Sequence, residues 1–481
     1  MSDEREERLR CLEVLRSLGV DPFGGRFDGA EPCGVVAARF AELEHRGVTV
    51  AGRLTALRSF GKAAFLDLRD WTGKIQVHVR REKLGEAWAV FENLHVGDLA
   101  AFGGTLGRTR TGEITVFAER LTLLAKALRP LPEKWHGLTD PEVRHRRRYL
   151  DLIANPGVLQ KFLKRTRILS LLRRFLDERG YVEVETPMMQ PIPGGAAARP
   201  FRTHHNALDR DLYLRIALEI PLKKLLVGGL ERVYEIGRVF RNEGVDSQHN
   251  PEFTLLELYH AYGDLRTMMD LVEGVVAFLA REVCGGLKVP FGGRTLNLEP
   301  PWPRREFGDL LRERAGVDPG DLEACRRRLV ERRPDAAGMS PLEVLDGVFG
   351  EYVQPHLQDA CFVTGQPIGM TPLCRERPGS PGVADRFEVY MGGFEIANAY
   401  TELNDPLEQR RRLLDQAGGD EMARAGKVDE DFLEALEHGM PPAGGIGIGV
   451  DRLVMILTDT PSVREVILFP LLREAGTSGV K

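Results

Sequence analysis

The sequence predicts an α+β protein in which a small β-barrel precedes a larger domain of mixed strands and helices. Three observations lead to this prediction. Short apolar runs separated by turn residues fill residues 41–130, a proline-containing basic linker follows at 131–155, and residues 156–481 mix long amphipathic patterns with strand patterns. A chain of 481 residues is long enough for two or more domains, each with its own hydrophobic core.

Residues 1–40 precede the barrel as an N-terminal helical arm. The stretch Asp3–Arg16 is charged and rich in residues that favour helices. Two alternatives fit this composition: a short amphipathic helix, or an arm that is solvated on all sides.

Residues 41–130 contain five predicted strands, with turn residues at 70–73 closing one hairpin. Five short strands with a basic face predict an OB-fold barrel, a fold that binds single strands by stacking bases on aromatic side chains. From Arg46 to Arg129 there are 14 Lys and Arg against 8 Asp and Glu, although the whole chain has a net charge of −5. This local excess fits contact with a polyanion or an ordinary solvated basic face. The predicted strands are Val48–Leu54, Ala64–Leu68, Ile75–Val79, Leu99–Leu106 and Ile114–Phe117.

The cysteine pattern and the hydropathy predict a cytoplasmic protein with no membrane segment. None of the six cysteines forms a Cys-x-x-Cys pair, so we expect free thiols in a reducing compartment. The sequence contains no signal peptide and no apolar run near 18 residues.

The segment from Arg241 to Thr254 is a strong candidate for a functional site. The strand patterns on either side, Val233–Phe240 and Leu255–Tyr259, predict a hairpin with Arg241 near its turn. An arginine there presents a planar, permanently charged fork that suits phosphate, and Phe253 offers a ring face to a purine. A polar surface hairpin without a ligand is the alternative.

A glycine-rich run at residues 444–449 leads into an apolar helix. Glycine alternates with β-branched residues, so one face of the predicted strand is bare and open to close approach. Asp451 is the predicted helix cap, which places Arg452 in the first turn, where a cation opposes the helix dipole unless an anion binds there. The chain contains no Walker loop, and its glycine spacing does not match a dinucleotide fingerprint.

A third segment, Thr166–Pro187, predicts a long amphipathic helix, a stop at Gly180, a short strand and a proline. In chain order, this segment, the Arg241 hairpin and the glycine-rich strand with its helix resemble the motifs of class II aminoacyl-tRNA synthetases. The resemblance is sharper to the bacterial-like lysyl-tRNA synthetases of that class. It covers about residues 40 to 475 and weakens between about 300 and 360. The segments that sharpen it are 131–140, 148–156, 194–209 and 392–405.

This resemblance implies a lysine–tRNA ligase whose catalytic domain is an antiparallel sheet flanked by helices. The lysine carboxylate would attack the α-phosphate of ATP, and a ribose hydroxyl at the 3′ end of tRNA(Lys) would then take the lysyl group. Arg241 would bridge the α-phosphate and the lysine carboxylate, and Arg452 would hold the γ-phosphate end. The other implied ATP contacts are Glu243, His249 and Phe253, and the implied Mg²⁺ ligands are Glu388 and Glu395.

The resemblance also implies a pocket of carboxylates for the two ammonium groups of L-lysine. Asn398, Tyr400 and Glu402 alternate along one predicted strand, so one face presents all three. The implied contacts are Glu219, Glu257 and the carbonyl of Gly195 for the α-ammonium, Asn398 for the carboxylate, Tyr400 for the aliphatic stem, and Tyr259 with Glu402 for the ε-ammonium.

Two partner contacts are implied outside this pocket. In the barrel, Phe65 and Gln76 would contact the anticodon, with a core Phe and a solvent-facing Gln as the alternatives. A homodimer would form through Thr166–Pro187, whose apolar stripe could equally pack inside the chain. That stripe consists of Ile168, Leu171, Leu172, Phe175 and Leu176.

Two positions depart from the family pattern. Pro221 follows Glu219, whereas the family's proline precedes the pocket glutamate, and this leaves the orientation of Glu219 open. In the barrel, Arg120 stands where the family often has an acid, with Glu119 adjacent.

Three other functions compete with the lysine–tRNA ligase. An aspartyl- or asparaginyl-type class II synthetase would need a cation where Glu402 and Tyr259 stand. A related ligase that acts on a protein would lack the N-terminal barrel. A non-catalytic tRNA-binding paralogue would not need the set of Arg241, Arg452, Glu388 and Glu395.

Overall fold

The computed structural model describes residues 2–132, 138–196, 198–417 and 428–472. Residues 133–137 of the predicted linker and Ala197 of the segment 194–209 lie outside the described residues. The chain divides into two compact units, residues 1–159 and 160–481.

The first unit contains a closed barrel of five strands in the order β1-β2-β3-β5-β4, which confirms the predicted OB-fold. On β2, Ala64, Leu66 and Leu68 are buried in the barrel core and the residues between them are not, as period-2 alternation requires. The pair β3–β5 is parallel and the other neighbours are antiparallel. The strands are β1 Gly47–Phe60, β2 Ala63–Arg69, β3 Lys74–Arg80, β4 Leu99–Arg108 and β5 Ile114–Ala125.

The N-terminal arm forms helix α1 (Ser2–Ser17), as the amphipathic alternative requires. Leu12 and Leu15 are buried. The Arg8 guanidinium, also buried, donates to the carbonyls of Ala127 at 3.0 Å and Val96 at 3.1 Å. The other helices of this unit are α2 Cys33–Ala38, α3 Phe40–Leu43, α4 Arg81–Leu84, α5 Ala87–Phe91, α6 Pro141–Arg146 and α7 Arg148–Ala154.

The second unit is organised around an eight-stranded sheet in the order β14-β15-β16-β17-β18-β11-β10-β6. Its neighbours are antiparallel except at the two edges, where β14–β15 and β10–β6 are parallel. The expected antiparallel sheet is therefore confirmed. Met268 and Val272 of helix α10 share the buried core of this sheet with Leu453 and Ile456 of the last helix.

The elements of the second unit follow in chain order, beginning with a helix that spans the division between the units. The helices are α8 Pro156–Asp177, α9 Glu219–Val227, α10 Leu265–Cys284, α11 Phe307–Leu310, α12 Leu322–Val330, α13 Pro341–Val348, α14 Pro406–Ala417, α15 Glu430–Glu437 and α16 Val450–Leu457. The strands are β6 Val182–Glu183, β7 Met189–Gln190, β8 Arg202–His205, β9 Arg210–Leu214, β10 Arg232–Phe240, β11 Glu252–Ala261, β12 Lys288–Phe291, β13 Arg294–Asn297, β14 Arg304–Glu306, β15 Cys361–Thr364, β16 Arg386–Met391, β17 Phe394–Thr401 and β18 Ala443–Gly449. Within the described ranges, no helix combines the length and the apolar character that a membrane crossing needs.

Residues 300–360, for which the sequence offers no motif, form a helical region with its own buried cluster. Phe307 of α11 stacks on Phe349 with ring centroids 5.0 Å apart. Phe349 in turn contacts Tyr390 of β16 at 5.5 Å. The region is thereby attached to the central sheet.

The apolar stripe of Thr166–Pro187 packs inside the chain. All five of its side chains are at most 4 % exposed and share a core with helix α10. The intrachain alternative therefore holds for these residues, and the stripe is not a surface on which a second copy can dock.

Candidate functional site

A cavity of about 1400 Å³ opens along β11, β17 and β18 of the second unit. The loop of the β10–β11 hairpin and the first turns of α9 and α16 also line it, and residues of α13, α14 and α15 contribute to its walls. Among the site residues predicted for this unit, Glu402 is the exception that does not line it. Those that line it are Gly195, Glu219, Arg241, Glu243, His249, Phe253, Glu257, Tyr259, Glu388, Glu395, Asn398, Tyr400 and Arg452.

Arg241 follows the last paired residue of the predicted hairpin, which forms in antiparallel register. Its guanidinium lies over the Phe253 ring, 5.2 Å from the centroid. Its Nε donates to the carbonyl of Ile216 at 3.4 Å. No carboxylate among the described residues forms an ion pair with Arg241, so its charge remains available to an anion in the cavity.

The hairpin loop and helix α16 meet at His249 and Arg452. His249 is exposed, with Nδ1 2.9 Å from Asp246 Oδ2 and Nε2 3.4 Å from an Arg452 nitrogen. Arg452 also donates to the backbone carbonyl of Glu395 at 2.8 Å. Glu243, on the same loop, is exposed and lines the cavity.

Asp451 is not the cap of helix α16, contrary to the expectation. The helix begins one residue earlier, and Gly449 occupies the cap position. The buried Asp451 carboxylate instead accepts from the Thr254 N–H at 2.8 Å and pairs with Arg165 at 2.5 Å. These contacts attach the start of α16 to β11, and Arg452 keeps its predicted place in the first turn.

Glu388 and Glu395 lie on the neighbouring strands β16 and β17. Glu388 pairs with Arg386 and accepts from the Tyr390 hydroxyl at 2.8 Å. Burial, and then the charge of Glu388, raise the pKa of Glu395, while Arg452 lowers it. Both carboxylates line the cavity, and hard oxygen ligands of this kind suit Mg²⁺. Since no group of three metal-ligating side chains occurs among the described residues, such an ion would need further oxygens from a ligand.

Arg386, which sequence reasoning missed, orients Asn398. Its Nε donates to Asn398 Oδ1 at 2.9 Å. A guanidinium can only donate, so the amide oxygen faces it and the amide N–H groups remain for another acceptor. Because Asn398 lines the cavity, those N–H groups can meet a carboxylate there.

Tyr400 and Glu402 share one face of the chain at β17, as alternation predicts. Opposite them, Gly445 of β18 pairs with Tyr400. A Cβ at Gly445 would lie 2.0 Å from Glu402 Oε1 and 2.5 Å from Tyr259 Cε1. The side chains of Glu402 and Tyr259 therefore fill the space beside Gly445 on the bare face of the glycine-rich strand.

Glu219 begins helix α9 and lines the cavity despite the altered sequence around it. Pro221 lies in the first turn, where a missing N–H loses no helical bond. The Glu219 carboxylate is buried and accepts from the Tyr400 hydroxyl at 2.7 Å. Gly195 packs closely against it with φ +85°, and a Cβ there would lie 3.1 Å from Glu219 Cβ.

Glu257 and Tyr259 extend from β11 into the same end of the cavity. Glu257 accepts from the Leu218 N–H at 3.0 Å. Burial, and then the charge of Glu219, raise the pKa of Glu257 to about 8. Burial also raises the pKa of Tyr259, which keeps its phenol neutral and able to donate. A cation at this end would stabilise the ionised carboxylates.

Lys223 is the second residue that sequence reasoning missed. Its side chain is fully buried, with Nζ 2.5 Å from Glu219 Oε1 and in close ion contact with Glu402 Oε2. Burial raises the pKa of Glu402 to about 8, and Lys223 lowers it. Glu402 Oε1 has no hydrogen-bond donor among the residues that the structure describes. The i, i+4 spacing of Glu219 and Lys223 was the available signal.

On the barrel, Phe65 and Gln76 lie on the outer face of β2 and β3. Phe65 is not in the barrel core; its ring stacks on His78 with centroids 4.5 Å apart. Phe117 packs edge-on against the same His78 at 5.5 Å. Gln76 accepts from the Thr115 hydroxyl at 2.8 Å, which leaves its amide N–H groups for another partner. The core alternative for Phe65 is therefore wrong.

A β-bulge lies beside Arg120 on β5. Gly103 pairs with Arg120 and Gly104 with Ala118, so Glu119 is the extra residue. Both Glu119 and Arg120 are exposed. Glu119 forms an ion pair with Lys83 at 3.2 Å, and both Glu119 and Arg120 stay candidates for the family's acidic position.

Residues 140–473 match the family described as tRNA synthetases class II (D, K and N), and residues 48–124 match the OB-fold nucleic acid binding domain. The lysine–tRNA ligase of Moorella thermoacetica is 51 % identical over 475 residues, 97 % of both chains. That of Syntrophomonas wolfei is 48 % identical over 98 % of this chain and 97 % of its own. That of Roseiflexus sp. is 49 % identical over 98 % of this chain and 99 % of its own. The family description covers three amino acids, whereas these relatives all use lysine.

Proposed function

Since the chain belongs to the class II lysyl-tRNA synthetases, ATP-dependent enzymes that attach lysine to tRNA, we propose that the cavity binds both small substrates with the amino acid at its buried end. The observation that carries this proposal is the distribution of charge along the cavity. Arg241 and Arg452 lie at one end, and the buried carboxyl groups of Glu219 and Glu257 lie at the other. The lysine carboxylate attacks the α-phosphorus and pyrophosphate leaves. A ribose hydroxyl of tRNA(Lys) then attacks the carbonyl carbon and AMP leaves. Neither step needs a protein nucleophile, so catalysis is positioning and charge stabilisation.

The arginine end binds ATP. Arg241 contacts the α-phosphate and the lysine carboxylate, where negative charge builds up. Arg452 and His249 hold the outer phosphates. Phe253 stacks on adenine, and Glu243 accepts from the edge of the base. Support comes from the placement of all five side chains on one cavity and from the unpaired charge of Arg241.

The carboxylate end binds L-lysine. Glu219, Glu257 and the Gly195 carbonyl hold the α-ammonium, and the amide N–H groups of Asn398 meet the carboxylate. The stem lies along Tyr400. Tyr259 and Glu402 hold the ε-ammonium, for which Glu402 Oε1 offers an acceptor that no described residue uses.

This end disfavours an aspartyl- or asparaginyl-type reaction. A substrate carboxylate would face the buried carboxylates of Glu257 and Glu402. Lys223 does not relieve this conflict, because it is already paired with two of the glutamates.

Glu388 and Glu395 are the proposed holders of Mg²⁺, bound together with ATP. The ion supplies positive charge to the phosphate oxygens when it is bound. Glu388 is held by Arg386 and the Tyr390 hydroxyl, which orients its carboxylate. Omission of Mg²⁺ should abolish exchange, and direct titration of the ATP complex with Mn²⁺ should show weaker binding in Glu395→Gln.

The barrel is proposed to bind the anticodon of tRNA(Lys). Phe65 supplies a ring on which a base can stack, and Gln76 can donate to a base edge. The stacked His78 and the edge-on Phe117 widen this platform.

A homodimer is proposed through the part of Thr166–Pro187 that follows α8. Val182 is 48 % exposed, and β6, to which it belongs, is an edge strand of the large sheet. Sedimentation should show twice the 53.7 kDa of one chain; a fully active 53.7 kDa species would contradict the proposal.

A cytoplasmic location is also proposed, and the free cysteines support it.

ATP–pyrophosphate exchange with lysine, aspartate and asparagine tests the proposed function. We expect exchange with lysine and, in a second assay, transfer of lysine to tRNA(Lys). Preference for aspartate or asparagine would overturn the assignment of the carboxylate end.

A further inference from the structure

The amino-acid end of the cavity holds three buried carboxyl groups and one buried cation in contact with them. Glu219, Glu257 and Glu402 are between 1 and 7 % exposed. Lys223 is the cation in direct contact with two of them. When all three carboxylates are ionised, Lys223 leaves two negative charges, and the two ammonium groups of L-lysine bring two positive charges.

Lys223 is held in place from several sides. Its Nζ lies 2.5 Å from Glu219 Oε1 and in ion contact with Glu402 Oε2. The same nitrogen is 5.6 Å from the centroid of the Tyr400 ring and 6.0 Å from that of Phe432. A fully buried ammonium with two carboxylate partners has no water to replace them, so the three charged groups are mutually fixed.

The two Glu402 oxygens differ in their ion contacts. Neither accepts a well-oriented hydrogen bond from the described residues, but Oε2 is in ion contact with Lys223, whereas Oε1 faces Gly445 and Tyr259. A buried carboxylate oxygen without a donor is costly and is satisfied when a cation arrives.

On the basis of the proposed function, we infer that Lys223 is a positioning residue of the lysine pocket. Its ammonium fixes the Glu219 and Glu402 carboxylates in place in the empty enzyme, so that Glu402 Oε1 is left open to the ε-ammonium of the substrate. Lys223 does not contact the reacting atoms. It acts through Glu402, and it also prevents a second cation from occupying Oε2.

The groups that surround Glu402 set how its charge depends on pH. They belong to four parts of the chain, and the cation among them, Lys223, is in direct contact with Glu402. Glu219 and Lys223 belong to α9, Glu257 and Tyr259 to β11, Tyr400 to β17, and Cys374 to the segment before β16. Removal of the Lys223 charge would leave carboxylates and neutral phenols, and a proton would then compete with the substrate for Glu402.

Lys223→Met tests the inference, with Lys224→Met as the matched control. Lys224 is the next residue of the same helix, but it is partly exposed and pairs with Asp431 at the surface. Removing one partner of a buried charge pair should raise the KM for lysine by roughly a hundredfold or more. The KM for ATP should change by less than about threefold, because Lys223 touches nothing at the arginine end. Lys224→Met should match wild type in both.

The pH profile separates a charge role from a packing role. In Lys223→Met the pKa of Glu402 rises further, so lysine should bind better as pH increases from 7 to 9, and more steeply than in wild type. Equal slopes, an unchanged KM for lysine, or parallel losses for lysine and ATP would overturn the inference.

A double variant that combines Lys223→Met with Glu402→Gln tests the inference if Lys223→Met alone does not fold. Removal of both charges should restore a cooperative Tm close to that of Glu402→Gln. A double variant that also fails to fold would show that Lys223 is needed for packing, against the inference. Wild-type protein that does not activate lysine would instead refute the proposed function.

Discussion

The two ends of the cavity differ in the sign and the burial of their charged groups. At the ATP end, Arg241, His249 and Arg452 are partly or fully exposed and have few charged partners. At the lysine end, Glu257 and Glu402 are 7 % and 1 % exposed. Solvent-facing arginines can bind any triphosphate that reaches them. Buried carboxylates discriminate, because only an ammonium in the right place compensates for their lost hydration.

This contrast predicts different consequences of substitution. Changes at the ATP end should lower the rate with every amino acid, since the phosphates are common to all. Changes at the lysine end should alter which amino acid is accepted and leave ATP binding nearly intact.

Arg241→Ala should have the largest effect. Loss of a contact to developing charge typically lowers the rate by about 10²- to 10³-fold. Lysine-dependent exchange measures it, and Arg238→Ala is the control, since Arg238 is on the same strand but outside the cavity. Near-normal exchange in a folded Arg241→Ala would remove this residue from the mechanism.

Glu402→Gln should follow in size. It keeps the shape but removes the charge, and a hydrogen bond to a charged group is worth about 1.5–3 kcal/mol, or roughly 10- to 100-fold in lysine affinity. Discrimination against norleucine should narrow, while the KM for ATP stays near wild type. An exposed glutamate, Glu434, provides the control substitution. Unchanged lysine dependence would contradict the assigned role.

Phe65→Ala with Gln76→Ala should separate the two reaction steps. Loss of one stacked base costs about 1–3 kcal/mol, so tRNA charging should fall on the order of tenfold or more through weaker tRNA binding. Adenylate formation, measured by exchange without tRNA, is the internal control and should stay normal. Equal charging by the variant and wild type would mean that the platform does not contact tRNA.

The lysine end should also make substrate binding depend on pH. The pKa of Glu257 is raised to about 8, so the empty enzyme holds a proton there that lysine binding must displace. The KM for lysine should therefore fall as pH rises from 6 to 8, by at most about tenfold per unit for one proton. The free energy of unfolding should fall as pH rises from about 4.5 through about 8, because the folded state binds this proton more tightly than the unfolded state does. A flat profile in wild type, or the same slope in Glu257→Gln, would exclude this group.

What the sequence predicts well is local. The barrel, the Arg241 hairpin and the shared face of Tyr400 and Glu402 all follow from period-2 alternation and turn residues. Asp451 was misassigned because its partner Thr254 lies 197 residues away. For Lys223, the i, i+4 spacing indicates the contact with Glu219, but the second contact, with Glu402, joins residues far apart in the chain and no local pattern predicts it.

A crystal structure of the enzyme with L-lysine tests the central claim most directly. We expect the ε-nitrogen within about 3 Å of Glu402 Oε1 and the Tyr259 hydroxyl, with Lys223 still on Oε2. The α-ammonium should lie at Glu219 and the carboxylate near Arg241 and Asn398. Lysine bound in the reverse direction, or an ε-ammonium that displaces Lys223 or never reaches Glu402, would contradict the account.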